Sequence, residues 1–208
     1  MKIYTTVLML FSLFFLNSQS LQDARNDVFC EIGQLDSAAE ISTLVESLGD
    51  SFTSYEDLFY KVPCINPLNP NNVKRISSEF SKRRFHPIDK KYKVHNGIDL
   101  STSIGKTVHA AADGTVINIQ YSKKGYGKNI TIQHAYGYTT RYAHMALILV
   151  LKEGQKVKLG EPIGMVGSTG KSTGNHLHYE VKKEGVFLNP IGFFGLYSII
   201  SNSKINSK

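Results

Sequence analysis

Between Asp113 and Gly185 the chain is cut at short intervals by glycine, at positions 114, 125, 127, 137, 154, 160, 164, 167, 170, 174 and 185. No long helix survives such spacing, because each interior glycine costs a helix about 1 kcal/mol relative to alanine. The segments between the glycines alternate instead. Val116-Ile117-Asn118-Ile119-Gln120-Tyr121 puts Ile117, Ile119 and Tyr121 on one face at the strand period of two, and Asn129 to His134 brings Ile130, Ile132 and His134 together. Short strands with frequent turns predict a mainly β fold, an antiparallel sandwich or barrel, over residues 76–194.

The flanks read differently. Residues 1–20 have the form of a signal peptide: Lys2, an apolar run from Ile3 to Leu16, and small Ser18 and Ser20 ahead of a cleavage point after Ser20. The run is shorter than the roughly 20 residues of a membrane span, so no stable span is expected after cleavage. An exported protein is expected, periplasmic or extracellular at the cell wall. Residues 21–75 form a second unit, a helical segment and linker without histidine. Ile41, Leu44, Val45 and Leu48 recur at helical spacing after Ser37, Gly49 gives a stop, and a further helical stretch is expected around Tyr55 to Tyr60. Pro63 to Asn72 reads as a linker or as an extended approach to the β region. Residues 195–208 form a polar tail. Cys30 and Cys64 are the chain's two cysteines; bonded in an oxidising compartment they would stabilise this region by about 3 kcal/mol, and two free thiols are the other reading.

The formal charge is +7, and eight of the basic residues lie between Lys74 and Lys93. Such a surface favours polyanions, cell-wall polymers included, or is simply a solvated loop. No nucleic-acid motif accompanies it.

Chemistry-bearing residues fall at three places: His95 with Asp99 in H-N-G-I-D, His144 in R-Y-A-H-M, and His176 with His178 in H-L-H-Y-E. Imidazoles and a carboxylate are the usual ligands of catalytic zinc, which takes three protein ligands and keeps a position open. On a strand, Leu177, Tyr179 and Val181 face the core while His176, His178 and Glu180 share the other face. The same arithmetic places Tyr142 beside His144. Asn96-Gly97 argues for a turn or bent strand between His95 and Asp99. Spacing alone leaves open which member of the H-x-H pair binds metal. His86, His109 and His134 are read as structural or exposed, with His134 on a strand that could pass near the site. Tyr142 and Glu180 are candidates to support the ligands. Residues Gly167 to Asn175 lack the spacing of a phosphate loop and read as a groove wall.

These segments, with Ala112-Asp113-Gly114-Thr115-Val116, Gly125-Tyr126-Gly127-Lys128, Gly154-Gln155-Lys156-Val157 and Gly167 to Glu180 in unbroken order, resemble the lysostaphin/LytM-type zinc metalloendopeptidases, peptidase family M23. The resemblance covers roughly residues 76–192 and departs at Ser81, where the family usually has glycine. It implies a LytM-type β-domain, Zn²⁺ as cofactor, peptidoglycan peptides as substrate, His95, Asp99 and His178 as ligands, and His144 and His176 as catalytic histidines outside the ligand set. The oligomeric state is not implied. Two rivals are a non-catalytic LytM-type module that binds cell wall or activates another hydrolase, and a carrier domain. The first typically lacks ligands; the second needs a lysine in a tight turn, which this chain does not offer.

Overall fold

A computed structural model describes residues 18–86, 91–150 and 152–202. The signal-peptide reading falls mainly outside these residues, as do the end of the tail and the basic side chains from Lys82 to Lys93.

The amino-terminal segment holds two main helices, α1 (Ser18–Gln34) and α2 (Ala38–Leu48). Ala24, Val28 and Ile32, four apart, line the buried stripe of α1. Helix α2 starts at a capping box in which the Ser37 side chain accepts from the Glu40 amide and the Glu40 carboxylate accepts from the Ser37 amide. Its buried face is Ile41, Leu44, Val45 and Leu48, as the periodicity predicts. A short α3 (Glu56–Phe59) follows. Residues beyond Pro63 are seated on the β region: the Cys64 amide donates to the Ala111 carbonyl at 3.0 Å and the His109 amide to the Pro67 carbonyl at 2.8 Å. Both cysteines are free, Cys30 exposed on α1 and Cys64 buried under Ala111, so the bonded alternative is not found.

Among the described residues twelve strands follow: β1 (Arg75–Ser78), β2 (Ser81–His86), β3 (Lys91–His95), β4 (Ile98–Ser101), β5 (Thr107–His109), β6 (Gly114–Gln120), β7 (Lys128–Gln133), β8 (Tyr138–Ile148), β9 (Lys156–Val157), β10 (Pro162–Val166), β11 (His176–Lys183) and β12 (Val186–Leu188). A helix α4 (Leu196–Asn202) closes the described chain. The main sheet runs β1-β4-β11-β8-β7-β6-β9, with β10 pairing β5 and β8, and β12 pairing β11; β2 and β3 form a separate hairpin. All of these pairs are antiparallel, in keeping with the glycine-punctuated sequence.

The face assignment on β6 fails. The register of β6 on β7 slips between Val116 and Asn118, a bulge that makes Ile117 the extra residue. Val116 is buried and Ile119 packs on the core, while Ile117 and Tyr121 are exposed. The core is continuous from the helices into the sheet: Ile32, Ile41 and Phe59 belong to the same buried cluster as Ile98, Leu100, Ile130, Tyr142 and Tyr179. Among the described residues no helix is long and apolar enough to cross a membrane.

Candidate metal centre

Strand β11 sorts its side chains as alternation requires. Leu177, Tyr179 and Val181 are fully buried in the core. His176, His178 and Glu180 take the opposite face. Cross-strand pairing then fixes their neighbours, since partners in a ladder share a face. His178 lies opposite Asp99 of β4 and Ala143 of β8, and Glu180 opposite Arg141. His95 ends β3 and reaches the same spot through Asn96-Gly97. A side chain at position 97 would put its Cβ 2.3 Å from the Tyr179 carbonyl oxygen, so glycine is what lets this turn lie against β11.

Three atoms converge. Asp99 Oδ1 is 3.2 Å from His95 Nε2 and 2.8 Å from His178 Nδ1, and the two nitrogens are 3.1 Å apart. The outward nitrogens are committed elsewhere. His95 Nδ1 donates to the Glu79 carbonyl at 2.8 Å, and His178 Nε2 donates to Glu180 Oε1 at 3.1 Å. Both inward nitrogens therefore present lone pairs to one another and to a carboxylate. Three electron-rich atoms packed this way need a cation among them, either a proton or a metal. The electrostatics agree. Burial opposes charge on His178, but the Asp99 and Glu180 carboxylates outweigh it and raise its pKa. Burial likewise works against ionised Asp99, yet its hydrogen bonds to His178 and His95 hold it well below the usual carboxylate range. The donor set of two imidazoles and a carboxylate fits zinc, and the grouping includes His178 but leaves out His176.

The other two site histidines flank this cluster. His144 Nδ1 donates to the Thr169 carbonyl and His176 Nδ1 to the Gly174 carbonyl, each at 2.8 Å. Both therefore keep Nε2 as the lone-pair atom; His176 Nε2 is 3.7 Å from Asp99 Oδ1. Their rings lie 4.7 Å apart. Burial, reinforced by the neighbouring imidazoles, lowers the pKa of His144 to about 4 and keeps it neutral.

The expectation that Tyr142 stands beside His144 is overturned. Strict alternation would send His144 into the core with Tyr142, but its φ of 61° turns the side chain over to the cluster. Tyr142 stays in the core, where its hydroxyl accepts from the Ala111 amide at 2.8 Å. Its hydroxyl is taken up by Ala111 and Thr140 rather than by the cluster, whereas Glu180 holds His178 Nε2.

Sequence reasoning missed a supporting layer. The Tyr126 hydroxyl donates to Glu180 Oε1 at 2.6 Å, and Arg141 sits 3.6 Å from Glu180 Oε2 with its guanidinium over the Tyr126 ring. The Glu79 and Thr169 carbonyls act through the backbone, which side-chain identity does not reveal. Of the remaining histidines, His134 is buried away from the cluster, held by the Asp113 carbonyl at 2.8 Å and Thr140 at 2.7 Å. His109 lies on β5 and the backbone of His86 on β2.

An antiparallel β-fold that gathers a histidine–aspartate–histidine cluster and two further imidazoles on one face defines a domain with a candidate metal site. Residues 93–190 match the family model for peptidase family M23. The chain is 32% identical to the catalytic domain of a mutant of the prophage-encoded M23 protein EnpA from Enterococcus faecalis, with a TM-score of 0.51, covering 62% of this chain and 95% of that one. It belongs to peptidase family M23. It is also 38% identical to a zinc-containing peptidase from Vibrio cholerae, with a TM-score of 0.55, over 60% of this chain and 38% of that one. Among curated proteins it is 46% identical over 114 residues to the peptidoglycan DD-endopeptidase ShyA of Vibrio cholerae, 53% of this chain and 25% of the relative. It is 47% identical over 116 residues to an uncharacterised metalloprotease of Buchnera aphidicola, 56% of this chain and 30% of the relative. The match thus spans about a quarter to a third of those curated relatives.

Proposed function

We propose that this chain is an exported zinc metalloendopeptidase that hydrolyses peptide bonds of bacterial peptidoglycan. The observation that carries the reading is the convergence of His95 Nε2, Asp99 Oδ1 and His178 Nδ1, with two further imidazoles turned toward them. The naming of a similar protein as a peptidoglycan DD-endopeptidase supports the substrate class.

His95, Asp99 and His178 would hold the metal. Bound there, zinc supplies Lewis acidity that polarises a carbonyl and makes water more acidic. Glu180 holds the proton on His178 Nε2, and the Glu79 carbonyl holds the one on His95 Nδ1. Those two contacts fix which nitrogen of each ring faces inward. His144, neutral and anchored through Nδ1, is placed to take a proton at Nε2 as general base. His176, anchored the same way, presents Nε2 beside it and donates to the developing oxyanion when protonated. The amino-terminal leader and the assignment of residues 76–194 as the peptidase unit belong to the same proposal.

The test is release of soluble muropeptides from purified peptidoglycan by the chain from Leu21 onward. Release that a chelator and Asp99→Ala both abolish supports the reading, and product masses name the bond. No release with stoichiometric zinc redirects the search to another substrate. No release and no zinc favours the non-catalytic cell-wall module.

A further inference from the structure

Beside the histidines, on the far side of Thr169, lies a cavity of about 450 Å³ lined by Tyr121, Ser122, Lys123, Lys128, Thr169 and Gly170. Thr169 joins it to the reaction centre, because its carbonyl is the group that holds His144 Nδ1. One residue thus separates the cavity from the imidazole proposed as base.

The cavity walls are fastened together. The Lys128 amide donates to Thr169 Oγ1 at 2.9 Å, Thr169 Oγ1 donates to the Met145 carbonyl at 2.9 Å, and the Lys171 amide donates to the Gly125 carbonyl at 2.8 Å. Gly127 and Gly170 meet so closely that a Cβ on the second would lie 2.3 Å from the amide nitrogen of the first. A recess built this way is preformed and needs little ordering when a ligand enters.

Its charge is one-sided. Lys123 is exposed at the wall, and Lys128 is half-buried with its ammonium held by the Ala146 carbonyl at 2.8 Å. The lining contains no acidic side chain, and among the described residues no carboxylate pairs with either lysine. Two lysines among the lining residues, with no acidic residue beside them, favour an anion there. Tyr121, 69% exposed at the rim, adds an apolar surface for the chain that carries the anion. Because Thr169 both lines the recess and holds His144, the recess lies within reach of a peptide seated at the histidines.

We propose that the cavity is a subsite for a free carboxylate of the substrate peptide, so that the chain selects anionic over amidated stem peptides. The inference rests on the peptidase reading for the origin of the peptide. Its test is direct binding. The full chain carrying His144→Ala, which would leave substrate uncut, is titrated calorimetrically with a cross-linked muropeptide and with the same muropeptide amidated at its free carboxylates. The carboxylate form is expected to bind about fivefold more tightly, the size of a partly exposed ion pair. That advantage shrinks as salt is raised and disappears in the Lys123→Glu background. Equal affinities, an advantage that survives Lys123→Glu, or failure of both peptides to bind overturns the subsite. Cleavage by the unsubstituted chain is scored separately: if it cuts neither peptide, the peptidase reading falls while the affinity difference still decides the subsite.

Discussion

Glu180 serves two partners with one oxygen: Oε1 accepts from both the His178 ring and the Tyr126 hydroxyl. Its pKa is lowered despite burial, because His178, Tyr126 and Arg141 favour the anion. Glu180→Gln keeps the shape and removes the charge that orients the His178 ring. Zinc affinity is expected to fall about 10–100-fold, read by competition with a chromophoric chelator. Unchanged affinity would show that the ring is held by packing alone. His134 makes the opposite use of burial. Desolvation lowers its pKa to about 4 despite the Asp113 carbonyl on Nδ1. The unfolded chain takes up that proton near pH 6.5, whereas the folded chain resists until about pH 4. The stability due to the neutral ring is therefore complete above about 6.5 and is lost as pH falls toward 4, up to ~3 kcal/mol in all. Chemical denaturation at pH 7 and pH 5 should show the drop, and His134→Asn should reduce it, leaving the part due to His144, which burial lowers in the same way. At this scale the H-x-H face was legible, because alternation alone sends His176, His178 and Glu180 to one side. His144 was not, because a positive φ in a non-glycine residue leaves no mark in the residue pattern.

Elements hold the site by their close approaches more than by their strands. The loop before β7 and the loop before β11 touch at Gly127, where φ is 64° and a Cβ would fall 2.4 Å from Thr169 Oγ1. Gly127→Ala must push Thr169 aside, and with it the carbonyl that orients His144. Turnover is expected to fall about 10–100-fold, since a displacement of about 1 Å at a reacting group has that effect. Zinc stoichiometry should stay the same, because the substituted position touches none of His95, Asp99 and His178. Gly105→Ala is the matched control. Its φ is 80°, but nothing lies within 4 Å, so it should lower stability through backbone strain and leave turnover intact. Equal losses in the two variants would sink the idea that the Gly127 contact positions His144. The sequence marks these glycines as turns, and that much was read from it. That two of them press on each other across the site is a tertiary fact, invisible until the loops are placed. The bulge in β6 is similar: alternation predicted a face, and one extra residue rotated it.

The whole molecule decides what the helical segment is for. It docks at the end of β8 and β11 away from the histidines. There Lys183, buried and paired across the ladder with Tyr138, donates to the carbonyls of Gly33 and Leu35 at the end of α1. The Tyr138 hydroxyl also donates to the Leu35 carbonyl. Tyr138 precedes His144 by six residues on β8, roughly 20 Å along a strand. A segment seated there cannot cover the His95–Asp99–His178 cluster by the contacts it makes. It completes the core instead, since Val28, Ile32, Ile41 and Leu44 lie in the same buried cluster as the sheet. Lys183→Met removes a charged donor from two helix-end carbonyls while keeping the packing. It should cost about 1.5–3 kcal/mol, measured as a shift in denaturation midpoint, with no gain in muropeptide release. Removing the chain up to Phe59 should be harsher, lowering Tm and exposing apolar surface to a hydrophobic dye. A truncated chain that stays folded and cuts faster than the intact one would refute this and point to an inhibitory role for the segment. The period-3.6 pattern of α2 was plain in the sequence. What no local pattern could supply was the lysine on β11 that caps α1 from 150 positions away, the contact that makes helices and sheet one structure.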